Sequence, residues 1–142
     1  VNDGAIAYRG VIPADRWHDP YMPLDEVRAE MGAGVEFFCV RRDGRVVGVM
    51  GLQNVADVAL IRHAYTRTAD QGKGIGSLLL EHLKRQTDRR LLVGTWKAAT
   101  WAVRFYERRG FRLVSDDEKV RLLRRYWTVS EPQIDESVVL TA

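Results

Sequence analysis

Three glycines at alternate positions, Gly72, Gly74 and Gly76, stand where a strand-like run gives way to a helix-like one. No other feature narrows the possible folds so far. Residues 58–66 before them are apolar and rich in β-formers, whereas Ile75, Leu78, Leu79 and Leu83 recur at helical spacing. Glu81, Lys84 and Arg85 fall on the opposite face of that helix. Glycine lets a backbone turn tightly with no Cβ in the way, so several N–H groups can point into one concavity. A helix starting there adds its own unpaired N–H groups and the positive end of its dipole. The arrangement predicts an anion site, suited to a pyrophosphate, on Gln71, Gly72, Lys73, Gly74, Ile75, Gly76 and Ser77. A Walker A loop fits less well, because Lys73 precedes Gly74 rather than a hydroxyl residue. A dinucleotide fingerprint needs a third glycine where Ser77 stands and a carboxylate after the next strand, and neither is present. A glycine-rich turn that binds nothing is the plain alternative.

The rest of the chain supplies a frame for that loop. Residues 35–40 and 45–52 are β-rich runs joined by Arg42-Asp43-Gly44, and Asp-Gly is a strong hairpin signal. Residues 24–31 read as a helix, with Asp25 and Glu26 in its first turn and Gly32 ending it. After the central helix come a strand over 91–96, an amphipathic helix over 100–109 capped by Gly110, and a short strand over 111–114. Ser115-Asp116-Asp117-Glu118 fits a capping box that opens a helix running to Tyr126. Residues 134–140 are expected to close the chain as a strand. Trp96, Trp101, Phe105, Phe111 and Trp127 are available to fill the core. The expected fold is α/β (α+β, with a mixed sheet) in one domain over residues 1–142, with antiparallel strands first and a βαβ unit after them. Residues 1–8 read like the end of a helix, so an edge strand is expected to precede them. A sheet edge left open in this way can recruit a second chain, giving a homodimer.

Composition narrows the class. At 142 residues, 46% hydrophobic and 29% charged, the chain can bury one ordinary core. It contains no uncharged apolar run of bilayer length, so no membrane association is expected. The net charge of +3 comes from 22 basic residues interleaved with 19 acidic ones, without a basic arm, so no nucleic-acid partner is expected. The one cysteine, Cys39, lies in an apolar stretch and is expected to be a buried thiol. A cytoplasmic location follows from it.

Two motifs carry a resemblance to a known family. Gln71-Gly72-Lys73-Gly74-Ile75-Gly76 matches the Q/R-x-x-G-x-G/A signature of GNAT N-acetyltransferases. Ala102-Val103-Arg104-Phe105-Tyr106-Glu107-Arg108-Arg109-Gly110-Phe111 resembles that family's A-x-x-F-Y-E-K-x-G-F segment. The resemblance implies the GNAT fold, in which the strand of residues 58–66 splays from its parallel neighbour. It implies acetyl-CoA as co-substrate, no metal, and a small-molecule or peptide amine as acceptor. The backbone of Ala64, Tyr65 and Thr66 would pair with pantetheine as an added strand would. Phe105 would line the cofactor, and Thr100 would compensate for Ala99, which stands where the family often has a contacting asparagine. Thr68 replaces the family's usual proline. Tyr106 would protonate the departing thiolate, after direct attack by the amine. Many members carry a glutamate base on the strand that here spans 58–66, and this strand has none. His63 is the residue on it with a suitable ordinary pKa. Glu36 or a chain of waters could serve instead, and an interior strand histidine is often simply structural. Trp17, His18 and Tyr21 would either wall the acceptor pocket or pin an irregular loop. A non-catalytic acyl-CoA sensor or interaction module on the same fold is the alternative reading.

Overall fold

A computed structural model describes all of residues 1–142. The regular elements, in chain order, are α1 (Leu24–Gly32), β1 (Val35–Arg42), β2 (Arg45–Val55), β3 (Val58–Thr66), α2 (Ile75–Arg85), β4 (Arg90–Trp96), α3 (Thr100–Glu107), β5 (Arg112–Leu113), α4 (Asp116–Tyr126), α5 (Glu131–Asp135) and β6 (Ser137–Thr141). Short 3-10 turns cover Gly4–Tyr8, Ala14–Arg16 and Thr68–Asp70. The strands form one six-stranded mixed sheet in the order β1-β2-β3-β4-β6-β5, the mixed α/β architecture expected. The chain divides into two compact units, residues 1–54 with 61–88, and residues 55–60 with 89–142.

In the first unit β1 and β2 pair antiparallel, from Val35 opposite Gln53 to Arg42 opposite Arg45. The turn between them puts Asp43 (φ 53°) and Gly44 (φ 73°) in the left-handed region, which matches the strands' twist as a two-residue hairpin requires. Helix α2 lies against this hairpin, burying Ile75, Leu79, Leu80 and Leu83 while Leu78 is exposed. Gly48 allows the approach, since a Cβ there would collide with Ile75 Cγ2 and stand 3.3 Å from Leu79 Cδ1. On the other face of β2, a Cβ at Gly51 would lie 2.8 Å from the carbonyl oxygen of Arg62 and from Val35 Cγ1.

The first residues form a 3-10 turn, not the closing turn of an α-helix, and they are tied down from both sides. Asn2 brackets Met22, donating to its carbonyl at 3.0 Å and accepting its N–H at 2.6 Å. Gly4 lies so close to the end of β3 that a Cβ would be 2.7 Å from Thr66 O. Cys39 is exposed, contrary to expectation. It sits on the edge strand, where burial on its face decays from Val35 through Phe37 to Cys39.

In the second unit β6 pairs antiparallel with β4, Leu92 opposite Thr141 and Trp96 opposite Ser137, and also with β5. The core here joins Val58, Leu60, Leu92, Leu122, Leu123, Ile134 and Val139, with Trp127 packed against it. Ser115 caps α4 as its sequence predicts, its Oγ accepting the Glu118 N–H at 3.2 Å. The closing strand begins later than expected. Residues 131–135 are helical, capped by Ser130 Oγ on the Gln133 N–H and started by Pro132, so Ile134 reaches the core from α5 and not from β6. Trp101 is 43% exposed and fills no core. No helix is long and apolar enough to cross a membrane.

Candidate functional site

The glycine loop has the geometry its sequence predicts. Gly72 (φ 76°) and Gly74 (φ 79°) are both left-handed, and Gly74 is the N-cap of α2. Both are exposed, and a Cβ at either would meet nothing within 4 Å, so what requires glycine is backbone conformation and open access. The N–H groups of Gly72, Lys73, Gly74, Ile75 and Gly76 take no partner within the chain. Gln71 N–H makes a long contact of 3.5 Å to Thr68 O, and Lys73 Nζ lies 3.3 Å from Asp70. A row of unpaired amides at the start of an eleven-residue helix, with the dipole behind it, has the chemistry that suits an anion.

Two bonds hold the loop's entry. Arg67 N–H donates to Val47 O at 2.8 Å, continuing the sheet, and Thr68 N–H donates to Asp3 Oδ2 at 2.6 Å. That second bond favours the ionised carboxylate and lowers the pKa of Asp3.

Upstream of the loop, β3 carries His63, Ala64, Tyr65 and Thr66. His63 departs from ordinary strand geometry with φ 54°. A left-handed residue within a strand is the mark of a bulge, and it brings two successive side chains to one face. Arg62 and His63 accordingly reach the same atom, Glu30 Oε2 on α1, at 3.3 and 3.4 Å. The His63 ring stacks on Phe37 with centroids 5.8 Å apart and planes 27° apart. Its Nε2 is sealed from solvent, and the Glu30 contact is too poorly aligned to count as a hydrogen bond. Burial first, and Arg62 second, lower the His63 pKa, while Glu30 and Glu26 oppose them. The imidazole is therefore predominantly neutral at pH 7, as a proton acceptor must be.

Beyond the bulge, Tyr65 meets Tyr8 edge-on at 6.0 Å and Tyr21 at 6.3 Å, and Tyr21 stacks with Trp17 at 5.1 Å. Burial raises the Tyr21 pKa, and a hydrogen bond with Tyr65 offsets part of that rise. The aromatic residues of the irregular segment thus pack onto the end of β3. His18 is exposed and takes no part in that packing. Glu36 is not brought to His63: it lies opposite Leu52 on β1, and alternation puts it on the face away from Phe37.

Thr100, Phe105 and Tyr106 lie on α3, in the second unit. Thr100 is its exposed first residue, preceded by buried Ala99. Tyr106 is buried, with Phe105 at 5.0 Å and Phe111 at 5.4 Å, both edge-on. The Arg109 guanidinium lies 3.9 Å above the Phe105 ring and donates to the Phe105 carbonyl at 2.8 Å. Glu30, Arg62 and Gln53 were not singled out from sequence. The one available signal for Glu30 was its place four residues after Glu26, on one face of α1.

Comparison with known proteins bears on the family and the fold. A family model described as acetyltransferase (GNAT) domain matches residues 3–124. Among solved structures, the PaiA N-acetyltransferase of Thermoplasma acidophilum, in complex with coenzyme A, superposes with a TM-score of 0.67 at 15% identity, covering 99% of this chain and 85% of that one. A GNAT-family acetyltransferase of Staphylococcus aureus Mu50 gives 0.68 at 17% identity, covering 96% and 85%. One from Elizabethkingia anophelis, with acetyl-CoA bound, gives 0.63 at 20% identity, covering 92% and 89%. At these identities the likeness is one of fold. No curated protein matches the chain.

Proposed function

Because the chain belongs to the GNAT acetyltransferase family, we propose that it moves the acetyl group of acetyl-CoA directly onto a primary amine of a small molecule or peptide. The observation that carries this reading is the row of unpartnered amides from Gly72 to Gly76 at the head of α2. Coenzyme A presents a pyrophosphate, the anion that such a row suits. The structures with coenzyme A or acetyl-CoA bound, from Thermoplasma acidophilum and Elizabethkingia anophelis, support the same ligand.

Each residue then has a task. Gln71, Lys73 and Ser77 complete the phosphate loop around Gly72, Gly74, Ile75 and Gly76. The backbone of Ala64, Tyr65 and Thr66 aligns the amides of pantetheine, and Thr100 and Phe105 contact the cofactor from α3. His63, neutral and partly buried, accepts the proton of the attacking amine. Tyr106 gives its proton to the sulfur as the thioester collapses, the task of a general acid. No covalent acyl-enzyme is needed, and the exposed Cys39 has no part in the scheme.

The test is thiol release from acetyl-CoA across a panel of alkylamines, arylalkylamines, amino acids and peptides with free amino termini. Calorimetric titration with coenzyme A runs beside it. Turnover of any member, with saturable coenzyme A binding, supports the reading. Tight binding with no turnover would favour a sensor, to which the missing strand glutamate already lends some weight. No binding at all would remove the cofactor assignment.

A further inference from the structure

A buried-edge polar network joins α1, β2 and β3, and only one of its members has a task so far. Gln53 Nε2 donates to Ala33 O at 3.0 Å, and Arg62 Nη1 donates to Gln53 Oε1 at 2.8 Å. Arg62 Nη2 donates to Glu30 Oε2 at 3.3 Å, and His63 Nε2 lies 3.4 Å from that same oxygen. Arg62 meets only one oxygen of this carboxylate, the one that His63 also faces. His63 reaches it only by taking a left-handed backbone, which costs a side chain other than glycine about 1–2 kcal/mol. Strain of that kind persists where the surroundings over-determine it, and it collects at functional sites.

The two ring nitrogens are not equivalent. Nε2 is the one buried side-chain nitrogen or oxygen in the chain without a hydrogen bond, and it faces a carboxylate. Nδ1 makes no hydrogen bond within the chain, yet it is not among the sealed atoms, so it keeps some contact with solvent. Phe37 fixes the plane of the ring by stacking.

We propose that Glu30 is the positioning residue for His63: the charge of its carboxylate, 3.4 Å from Nε2 though not hydrogen-bonded to it at rest, favours the proton on that nitrogen, which leaves the lone pair on Nδ1 to accept the proton of the attacking amine. This rests on His63 being the base, as proposed above. As the amine nitrogen bonds to the acetyl carbon, its proton passes to Nδ1. As the carbon–sulfur bond breaks, sulfur takes the electron pair and a proton from Tyr106. Exchange with water then returns both side chains to their starting states. Glu30 also favours the imidazolium formed on the way, while Arg62, donating to Glu30 Oε2, holds the carboxylate in place. The charged groups acting on His63 are Arg62 from its own strand and Glu30 and Glu26 from α1; its stacking partner on β1, Phe37, has no charge.

Nitrogen-15 NMR of the imidazoles in the full chain tests the pair without any acceptor, with His63→Gln separating its signals from those of His18 and His82. The neutral His63 ring should carry its proton on Nε2, and Glu30→Gln should lower its titration midpoint. With the best acceptor from the amine panel, Glu30→Gln should reduce kcat by roughly 10²- to 10⁴-fold, the scale for losing a carboxylate that sets a base's tautomer. The acid limb of kcat/KM should move down by the same interval as the NMR midpoint, coenzyme A affinity should hold, and Glu30→Asp should recover part of the rate. A proton on Nδ1, or a midpoint indifferent to Glu30→Gln, overturns the inference. A midpoint that moves while the acid limb stays overturns it by removing His63 as the base, leaving the cofactor assignment intact.

Discussion

The carboxylate of Asp3 accepts a 2.6 Å hydrogen bond from the backbone N–H of Thr68, so Asp3 fixes the entry to the glycine loop. Asp3→Ala should leave the fold in place and weaken coenzyme A binding roughly 3- to 10-fold, the worth of one hydrogen bond. Calorimetric titration reads it, and unchanged affinity would show that the loop holds its shape unaided. The folded-state pKa of Asp3 lies below the ordinary value. Its stabilising contribution is therefore complete above about pH 3.9 and is lost only as pH falls through the lower, folded value.

Gly74→Val and Gly76→Val should both remove coenzyme A binding from a chain that still folds. At Gly74 (φ 79°) the cost to folding is backbone strain of about 1–2 kcal/mol, since no neighbour stands in the way. Losing two charge-assisted bonds to phosphate weakens binding by roughly 100-fold or more. Titration beside thermal unfolding separates the two effects.

Tyr106→Phe keeps both edge-on ring contacts and deletes only the hydroxyl. Turnover should fall roughly 10- to 1,000-fold, at or below the usual range for a general acid, with coenzyme A affinity unchanged. If kcat holds where chemistry limits the rate, Tyr106 is packing and the acid is solvent.

Gly51→Ala should lower stability by roughly 1–3 kcal/mol, because its Cβ would meet the carbonyl of Arg62, a backbone atom that cannot turn aside. A melting temperature equal to that of the parent would show that the hairpin can shift away from β3.

The depressed pKa of His63 makes stability depend on pH. Just below the ordinary value of about 6.5 the unfolded chain binds more protons than the folded one, so stability is complete above that pH and declines as pH falls through the folded value. His63→Gln should flatten this slope below about pH 6.5. Parallel unfolding curves for the two proteins would assign the pH dependence elsewhere.

What could be read in advance was what local chemistry decides. Asp43-Gly44 can make only a tight hairpin, Ser115 to Glu118 cap a helix within four residues, and alternate glycines before an amphipathic helix make an amide cradle. Burial was less legible, because it depends on what arrives from elsewhere. Cys39 lies in an apolar run but on an edge strand, and Trp101 lies on an amphipathic helix but at its exposed start. The helix over Glu131–Asp135 had its signal in Ser130 and Pro132, overlooked because Ile134 suited the strand that follows. Beyond the spacing of Glu26 and Glu30, the network of Glu30, Arg62 and Gln53 had no local signal, since its members meet only when α1, β2 and β3 are assembled.

The left-handed residue at His63 acts on β3 as a phase slip acts on a two-beat rhythm. Up to Arg62 the even-numbered side chains share a face with Leu60; from His63 onward the odd ones do, so Tyr65 stands with His63 where Ala64 would otherwise have come. A variant library that assumed unbroken alternation would therefore send each downstream substitution to the wrong side of the sheet. Deleting a single residue here would turn Tyr65 away from Tyr8 and Tyr21, even if every hydrogen bond re-formed.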